Sequence, residues 1–527
     1  MRPAWTGDRF AARLGRTAFG LALAVCALWP VGYLLGSAWP VLFDGGWLVH
    51  FATTTLPRQA RTSWWVACEA AAVALAAGAV PAVITSRFDF RGRGLVSALA
   101  LLPLLYAPYV TAGIWTVGFS SAFLESRHAL AIQHGLAGSA YAFIVFRIAS
   151  ARMPRAFGEL AAALGHGPWQ RLWRVHAPAY SVPLAATVLI VFAQAVGDYA
   201  AAERLGLDTL SVGMHNLWLA SQSSDVAAVV SVLLIVPSVL LVAIGAWAGT
   251  SIMSQNPVAP AAAAVSRKPL SNPATFAVLL WTLLCSLLAF WIPQGLTVRW
   301  AWRQWERTNF GAIPGDVLRA VTTSATTALV VLALCALTIV VLRSGGRSRW
   351  AERMPWLFLS NYFLPSLVLA LAFVMMSRDG SALAAWLGGA RDSRVLIVVA
   401  EALRFVPFAM LPLLDALRRT PHAMIETARA FGAPPLRARW VAFAGHVRPA
   451  LLLGCALVFM ESVKELDLSL MLQPFGYSSP ALKIYAFSRN QNMDRAAVWV
   501  LISQALMAAP IALLWWRMRR IEALHHV

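Results

Sequence analysis

Ionisable side chains stand in stretches that are otherwise apolar. Glu461, Lys464 and Glu465 interrupt "LLLGCALVFMESVKELDLSLML" (Leu451–Leu472), and Asp198 interrupts "SVPLAATVLIVFAQAVGDYAAA" (Ser181–Ala202). An ionised group at mid-bilayer costs about 2.5–3.5 kcal/mol on insertion scales, so such groups turn toward protein or water. The i, i+3, i+4 spacing predicts that Glu461, Lys464 and Glu465 share a helix face, the cation between two anions. Their chemistry is charge handling rather than bond making. With Gln194 and Asp198 they are candidates to line or gate a polar pathway, and the equal alternative is an ion cluster that fixes helix packing. Glu69, Glu401 and Arg404 are similar in type.

Other chemistry finds no support. There is no G-x-x-x-x-G-K-[ST] to cradle phosphates, so the chain is expected to use no ATP itself. No Ser/His/Asp, H-E-x-x-H or paired-Cys arrangement suggests an enzyme, and the five Cys lie in or beside apolar runs. The ten His form no ligand-spaced cluster with carboxylates or Tyr, and His215 and His446 read as loop residues. No resident metal or cofactor is expected.

These residues need elements to hold them, and the composition says which. Of 527 residues 59% are hydrophobic and 13% charged, against roughly 25% charged for a soluble domain. The net charge of +20 is carried almost wholly by Arg beside apolar runs; Lys268, Lys464 and Lys483 are the three Lys. That pattern is a topology signal rather than a nucleic-acid surface. About twelve segments reach the roughly 20 apolar residues that a bilayer needs. They fall near 17–39, 63–86, 95–119, 129–150, 181–203, 226–249, 272–293, 319–342, 355–377, 394–416, 449–471 and 495–516. The first reads as an uncleaved span. Arg9, Arg13 and Arg16, Arg87, Arg91 and Arg93, Arg343, Arg347 and Arg349, and Arg517, Arg519 and Arg520 then share one side. By the positive-inside rule both termini are cytoplasmic.

The spans repeat. A shift of 267 lays Arg152–Ala177 on Arg419–Ala444 without a gap, matching Pro154/Pro421, Glu159/Glu426, Gly165/Gly432, Pro168/Pro435 and Trp173/Trp440. The same shift pairs Asp198 with Glu465 and Gln194 with Glu461. The fold expected is an all-α polytopic membrane protein of two tandem six-helix repeats, 1–253 and 272–527. The linker 254–271 is Pro/Ala-rich, with no apolar periodicity. The loops at about 152–178 and 419–445 each read as a short helix with Glu in an early turn. A breaking Gly and a Pro that opens a second helix follow. An amphipathic loop on the membrane surface is the plain reading. Two equivalent projections on one side suit a partner with two equivalent sockets.

The element E-x-A-x-x-x-G, as "ELAAALG" and "ETARAFG", resembles the coupling loop of binding-protein-dependent ATP-binding-cassette importers. The resemblance covers nearly the whole chain as two fused permease halves. It implies that Glu159, Ala161, Gly165, Pro168, Glu426, Ala428, Gly432 and Pro435 couple to two copies of an ATPase subunit. It also implies an extracytoplasmic solute-binding protein as partner and the bacterial inner membrane as location. Two departures stand out: Leu160 and Thr427 replace the usual Ala, and Pro178 has Gly445 as its counterpart. The second copy is therefore expected to end differently. "KELDLSLMLQPFGYSSPALKIYAFS" (Lys464–Ser488) is similar to iron(III) uptake permeases, with Asp467 where that group commonly has Pro. Thiamine, phosphonate and polyamine permeases share the architecture. A secondary transporter using Glu461, Glu465 and Asp198 is the rival from another class, and a membrane enzyme or scaffold a third reading.

Overall fold

The computed structural model describes residues 45–119, 121–152, 156–221, 268–343, 361–377, 388–418, 422–432 and 434–523, with shorter stretches at 28–40 and 228–235 and a few single positions between. In chain order the helices are α1 (Gly45–Ala74), α2 (Val80–Arg87), α3 (Arg93–Leu99), α4 (Pro108–Gly118), α5 (Arg127–Arg152), α6 (Ala156–Ala163), α7 (Pro168–Arg171), α8 (Ala177–Gly197), α9 (Ala200–Arg204) and α10 (Leu210–Ser221). There follow α11 (Asn272–Ser286), α12 (Ile292–Arg303), α13 (Ile313–Arg343), α14 (Ser366–Met376), α15 (Val395–Arg418), α16 (His422–Ala430), α17 (Pro435–Lys464), α18 (Asp467–Leu472), α19 (Pro480–Arg489) and α20 (Met493–Ala523). The expected all-helical membrane architecture is present.

Seven helices among the described residues are long and apolar enough to cross a bilayer, or eight if one bent pair counts as a span. They match the segments expected near 63–86, 129–150, 181–203, 272–293, 319–342, 394–416 and 495–516. The expected span at 95–119 is instead broken: Arg93–Leu105 and Pro108–Gly118 meet at 87°. Pro108 opens the second piece, where its missing N–H costs nothing. Tyr106, at the bend, donates to Gln294 Oε1 at 2.9 Å. The segment at 355–377 is described only from 361, and the one at 226–249 lies largely outside the described residues. The linker does not end loose: Lys268–Pro269 (β2) pairs in parallel with Phe88–Asp89 (β1).

Prolines shape the spans in a regular way. Three π-helical turns occur among the described residues, at Leu75–Ala79, Leu172–His176 and Leu287–Trp291. Each ends two residues before a proline, namely Pro81, Pro178 and Pro293. A proline lacks the N–H of the i→i−4 bond, and its ring presses on the carbonyl of residue i−4. That carbonyl belongs to Ala77, Arg174 or Ala289, each in the middle of its π-turn, where the widened backbone relieves the crowding. Gly445 replaces Pro178 in the second copy, and α17 runs unbroken from Pro435 to Lys464. The two copies therefore differ in the helix that follows the loop, which a π-turn interrupts in the first and not in the second.

The chain divides into two compact units that do not follow the tandem repeats. One comprises 1–44, 217–238 and 312–479; the other comprises 45–216, 239–311 and 480–527. In the first, α13, α15 and α17 pack mutually around a core including Val331, Ile397, Val406, Leu413 and Val458. In the second, α1, α5 and α8 pack together and α12 lies along α20. Small residues set the closest approaches. A Cβ on Gly78 would sit 2.0 Å from the Ser139 carbonyl oxygen, and one on Gly454 would sit 2.6 Å from Ala409 Cα. Neither neighbour is a flexible side-chain end. Gly454→Val should therefore force α17 off α15 at a cost of about 1–3 kcal/mol, read as a lowered unfolding midpoint of the detergent-solubilised chain.

Candidate functional site

The two copies of E-x-A-x-x-x-G fold alike. In the first, α6 stops at a Schellman turn: His166 N–H bonds Ala161 O and Gly165 N–H bonds Ala162 O, both at 3.0 Å. In the second, α16 stops with Gly432 N–H on Arg429 O at 2.9 Å. Gly165 has φ +81° and Gly432 φ +80°, a region where a side chain strains the backbone, and both are exposed. The residue before each glycine is large, apolar and exposed: Leu164 at 68% and Phe431 at 87%. Leu160, Trp169 and Trp173 are exposed on the first copy as well. Ala161 is buried, Ala428 half-buried and Glu426 exposed. Glu159, Pro168 and Pro435 lie in α6, α7 and α17, and their side chains are outside the described set. Each loop is thus a tight elbow with an apolar tip.

The carboxylates Asp198 and Glu465 sit where their helices end. α8 ends at Gly197, and Asp198 leaves the helix with φ −77°, ψ 118°; α17 ends at Lys464, and Glu465 leaves with φ −67°, ψ 121°. A short helix restarts at once in each case. Asp198 Oδ1 accepts the Ala201 N–H at 3.0 Å, and Glu465 Oε1 accepts the Leu468 N–H at 3.2 Å. Position 201 is position 468 less 267, so the two carboxylates do the same local work. They satisfy a helix-start N–H that lipid would leave unpaired.

The second oxygen of each carboxylate turns to a basic side chain of a neighbouring helix. Asp198 Oδ2 lies 3.1 Å from His134 Nε2 on α5, and Glu465 Oε2 lies 3.9 Å from Arg404 Nε on α15. Arg404 also donates to Leu364 O at 2.5 Å and lies over the Tyr362 ring. Lys464 Nζ pairs with Glu461 Oε1 at 2.7 Å. Of the three residues expected to share a face, Glu461 and Lys464 pair across one turn, and Glu465 caps the end of the helix. Gln194 holds the Asp198 N–H through its backbone carbonyl at 3.0 Å.

Shifted by 267, His134 falls on Glu401, so the position beside the break is polar in both repeats. Glu401 is buried; its Oε2 accepts from Thr327 at 2.9 Å and lies 2.5 Å from Ser462 Oγ, which in turn lies 2.9 Å from Ser324 Oγ. Glu69 pairs with His128 at 2.8 Å. Sequence reading gave no role to His134, nor to Arg147, which is buried on α5 and donates to Thr85 Oγ1 at 2.7 Å. His215 is not a loop residue: it lies in α10, buried, 4.2 Å from the Tyr199 ring. Its neighbourhood includes Tyr485, whose hydroxyl donates to Glu203 Oε2 at 2.6 Å and reaches Tyr199 at 3.4 Å. His446 lies in α17, with its side chain outside the described set.

A repeated elbow, broken spans and paired charges describe a transport scaffold, and the family comparison agrees. The model of the binding-protein-dependent transport system inner membrane component matches residues 72–299 and again 346–518. The chain belongs to this family. As a member it is a multi-pass permease, carrying the domain twice in one fused chain. Among curated relatives, the Fe(3+)-transport system permease protein FbpB 2 of Haemophilus influenzae is 19% identical over 457 residues, covering 84% of this chain and 86% of that protein. The putative 2-aminoethylphosphonate transport system permease protein PhnU of Salmonella typhimurium is 29% identical over 90 residues, 17% of this permease and 32% of the relative.

The buried pairing makes a stability prediction. Arg404→Met leaves the Glu465 carboxylate without its cation in a poorly solvated place, which costs on the order of 3–5 kcal/mol. Adding Glu465→Gln, which keeps the capping oxygen, should recover most of that loss in thermal unfolding of the purified permease.

Proposed function

We propose that this permease is the membrane subunit of an ATP-binding-cassette importer that moves iron(III) released by an extracytoplasmic binding protein. The elbows at Gly165 and Gly432 are the coupling elements, each engaging one of two ATPase copies. The observation that carries this reading is the repeated exposed apolar tip, Leu164 and Phe431, on turns of one geometry. An exposed Phe at a rigid turn is unfavourable in water and suits a socket. Glu159, Ala161, Pro168, Glu426, Ala428 and Pro435 shape and flank the tips. ATP is used by the partners, and this chain needs no cofactor or ATPase site of its own. Both termini lie in the cytoplasm, the side that carries the Arg clusters.

The iron(III) assignment rests on the length of the match to FbpB 2 and on the Lys464–Ser488 stretch. The short match to PhnU favours a phosphonate as the second reading. In either case Gln194, Asp198, Glu461, Lys464 and Glu465 form the polar breaks through which the two repeats open and close a path. The repeats are 1–253 and 272–527, joined by the linker 254–271.

Leu164→Asp and Phe431→Asp should each weaken co-purification of the ATPase subunit about tenfold, a loss of about 1.4 kcal/mol, and together abolish it. Glu159→Arg with Glu426→Arg should act in the same direction. Retention of the ATPase by the double variants would refute the coupling assignment and favour ion-driven transport. For the solute, vesicles containing the assembled importer should take up ferric ion with ATP and its binding protein. Uptake of 2-aminoethylphosphonate instead of ferric ion would replace the iron reading.

A further inference from the structure

Within the unit that holds α9 and α19 lies a cavity of about 200 Å³. Glu203 and Arg204 from α9, and Tyr485, Ser488, Arg489 and Gln491 from α19 and the turn beyond it, form much of its wall. It is smaller than the roughly 300–1,000 Å³ usual for drug-sized ligands, so its occupant is small. Its charge is unbalanced. The Glu203 carboxylate is engaged, accepting from Tyr485 Oη at 2.6 Å and facing Arg489 Nε at 3.9 Å.

Arg204 has no such partner. Its Nε and Nη2 are sealed from solvent and bonded to nothing among the described residues. Partial burial pushes the guanidinium's pKa down. A guanidinium stays charged in a protein, and two nitrogens of this one are cut off from water with no acceptor among the described residues to replace it. Two guanidinium groups and one carboxylate leave the wall with a single positive charge unmatched. Gln491 closes the turn with φ 60°, a left-handed conformation uncommon for a residue with a side chain.

We propose that this cavity is an oxyanion site: one phosphate, phosphonate or carboxylate group sits against Arg204 and Arg489, with the Ser488 hydroxyl as a further donor. Arginine's planar fork suits such groups. The anion would tether α9, from the first matched domain, to α19, from the second. It goes beyond the importer reading and stands whichever solute is carried, because its readout is binding and not transport.

The test is thermal unfolding of the purified full chain in detergent, titrated with inorganic phosphate, methylphosphonate and acetate against a chloride control. Native mass spectrometry reads any retained phospholipid. Phosphate should raise the wild-type midpoint saturably. Arg204→Gln should weaken that response at least tenfold, and Arg61→Gln on the exposed surface should leave it unchanged. Without anion, Arg204→Gln should unfold no earlier than wild type, since it removes a charge that lacks a partner. A wild type indifferent to phosphate that retains one phospholipid, lost in Arg204→Gln, would also support the site and identify a lipid headgroup as its source. An equal response in both proteins, or no bound anion of either kind, overturns the proposal. If Arg204→Gln fails to fold, Arg204→Lys decides: it keeps the charge without the fork, and an undiminished phosphate response overturns the proposal.

Discussion

A backbone N–H or C=O in hydrocarbon has no water to turn to, and that constraint governs how this permease interrupts its helices. At Asp198 and Glu465 the interruption is made tolerable by a carboxylate that closes the next helix's first turn and faces His134 or Arg404 with its other oxygen. At Pro81, Pro178 and Pro293 the ladder instead widens for one turn. Both devices keep polar groups paired while letting a span change direction. The charges are therefore architectural first, and any part they take in a pathway is built on that position.

The two repeats reach the same geometry with different chemistry. One break opposes Asp198 to His134; the other opposes Glu465 to Arg404 and sets Glu401 among hydroxyls from Thr327 and Ser462. Duplication preserved the dihedral angles at the break more closely than the identity of the counter-charge. That is expected where the carboxylate's capping bond is local and its ion pair depends on another helix.

Much of this was legible in the sequence, for reasons that particular residues make plain. Gly165 and Gly432 stood out because a helix that ends in the left-handed region tolerates little else, and their fixed spacing from Glu159 and Glu426 exposed the repeat. Long apolar runs announced seven spans. The breaks were not legible, because a hydropathy window through Asp198 or Glu465 measures composition, whereas the end of a helix there is decided by one side-chain oxygen. His134 was missed as a lone histidine in an apolar run. Its only signal was its offset from Glu401, and unlike residue types hid the correspondence. The bend at Tyr106 was equally hidden, since Gln294 is remote in sequence.

The two elbows are not joined to their membrane helices by the same kind of shaft. Behind the first lies the widened turn Leu172–His176, while behind the second one α-helix of 30 residues runs from Pro435 to Lys464 with no such turn. A shaft with a soft joint absorbs part of a displacement as bending, and a stiff one passes it on as rotation. If both elbows take up force as proposed, the two helices behind them would pass it on unequally.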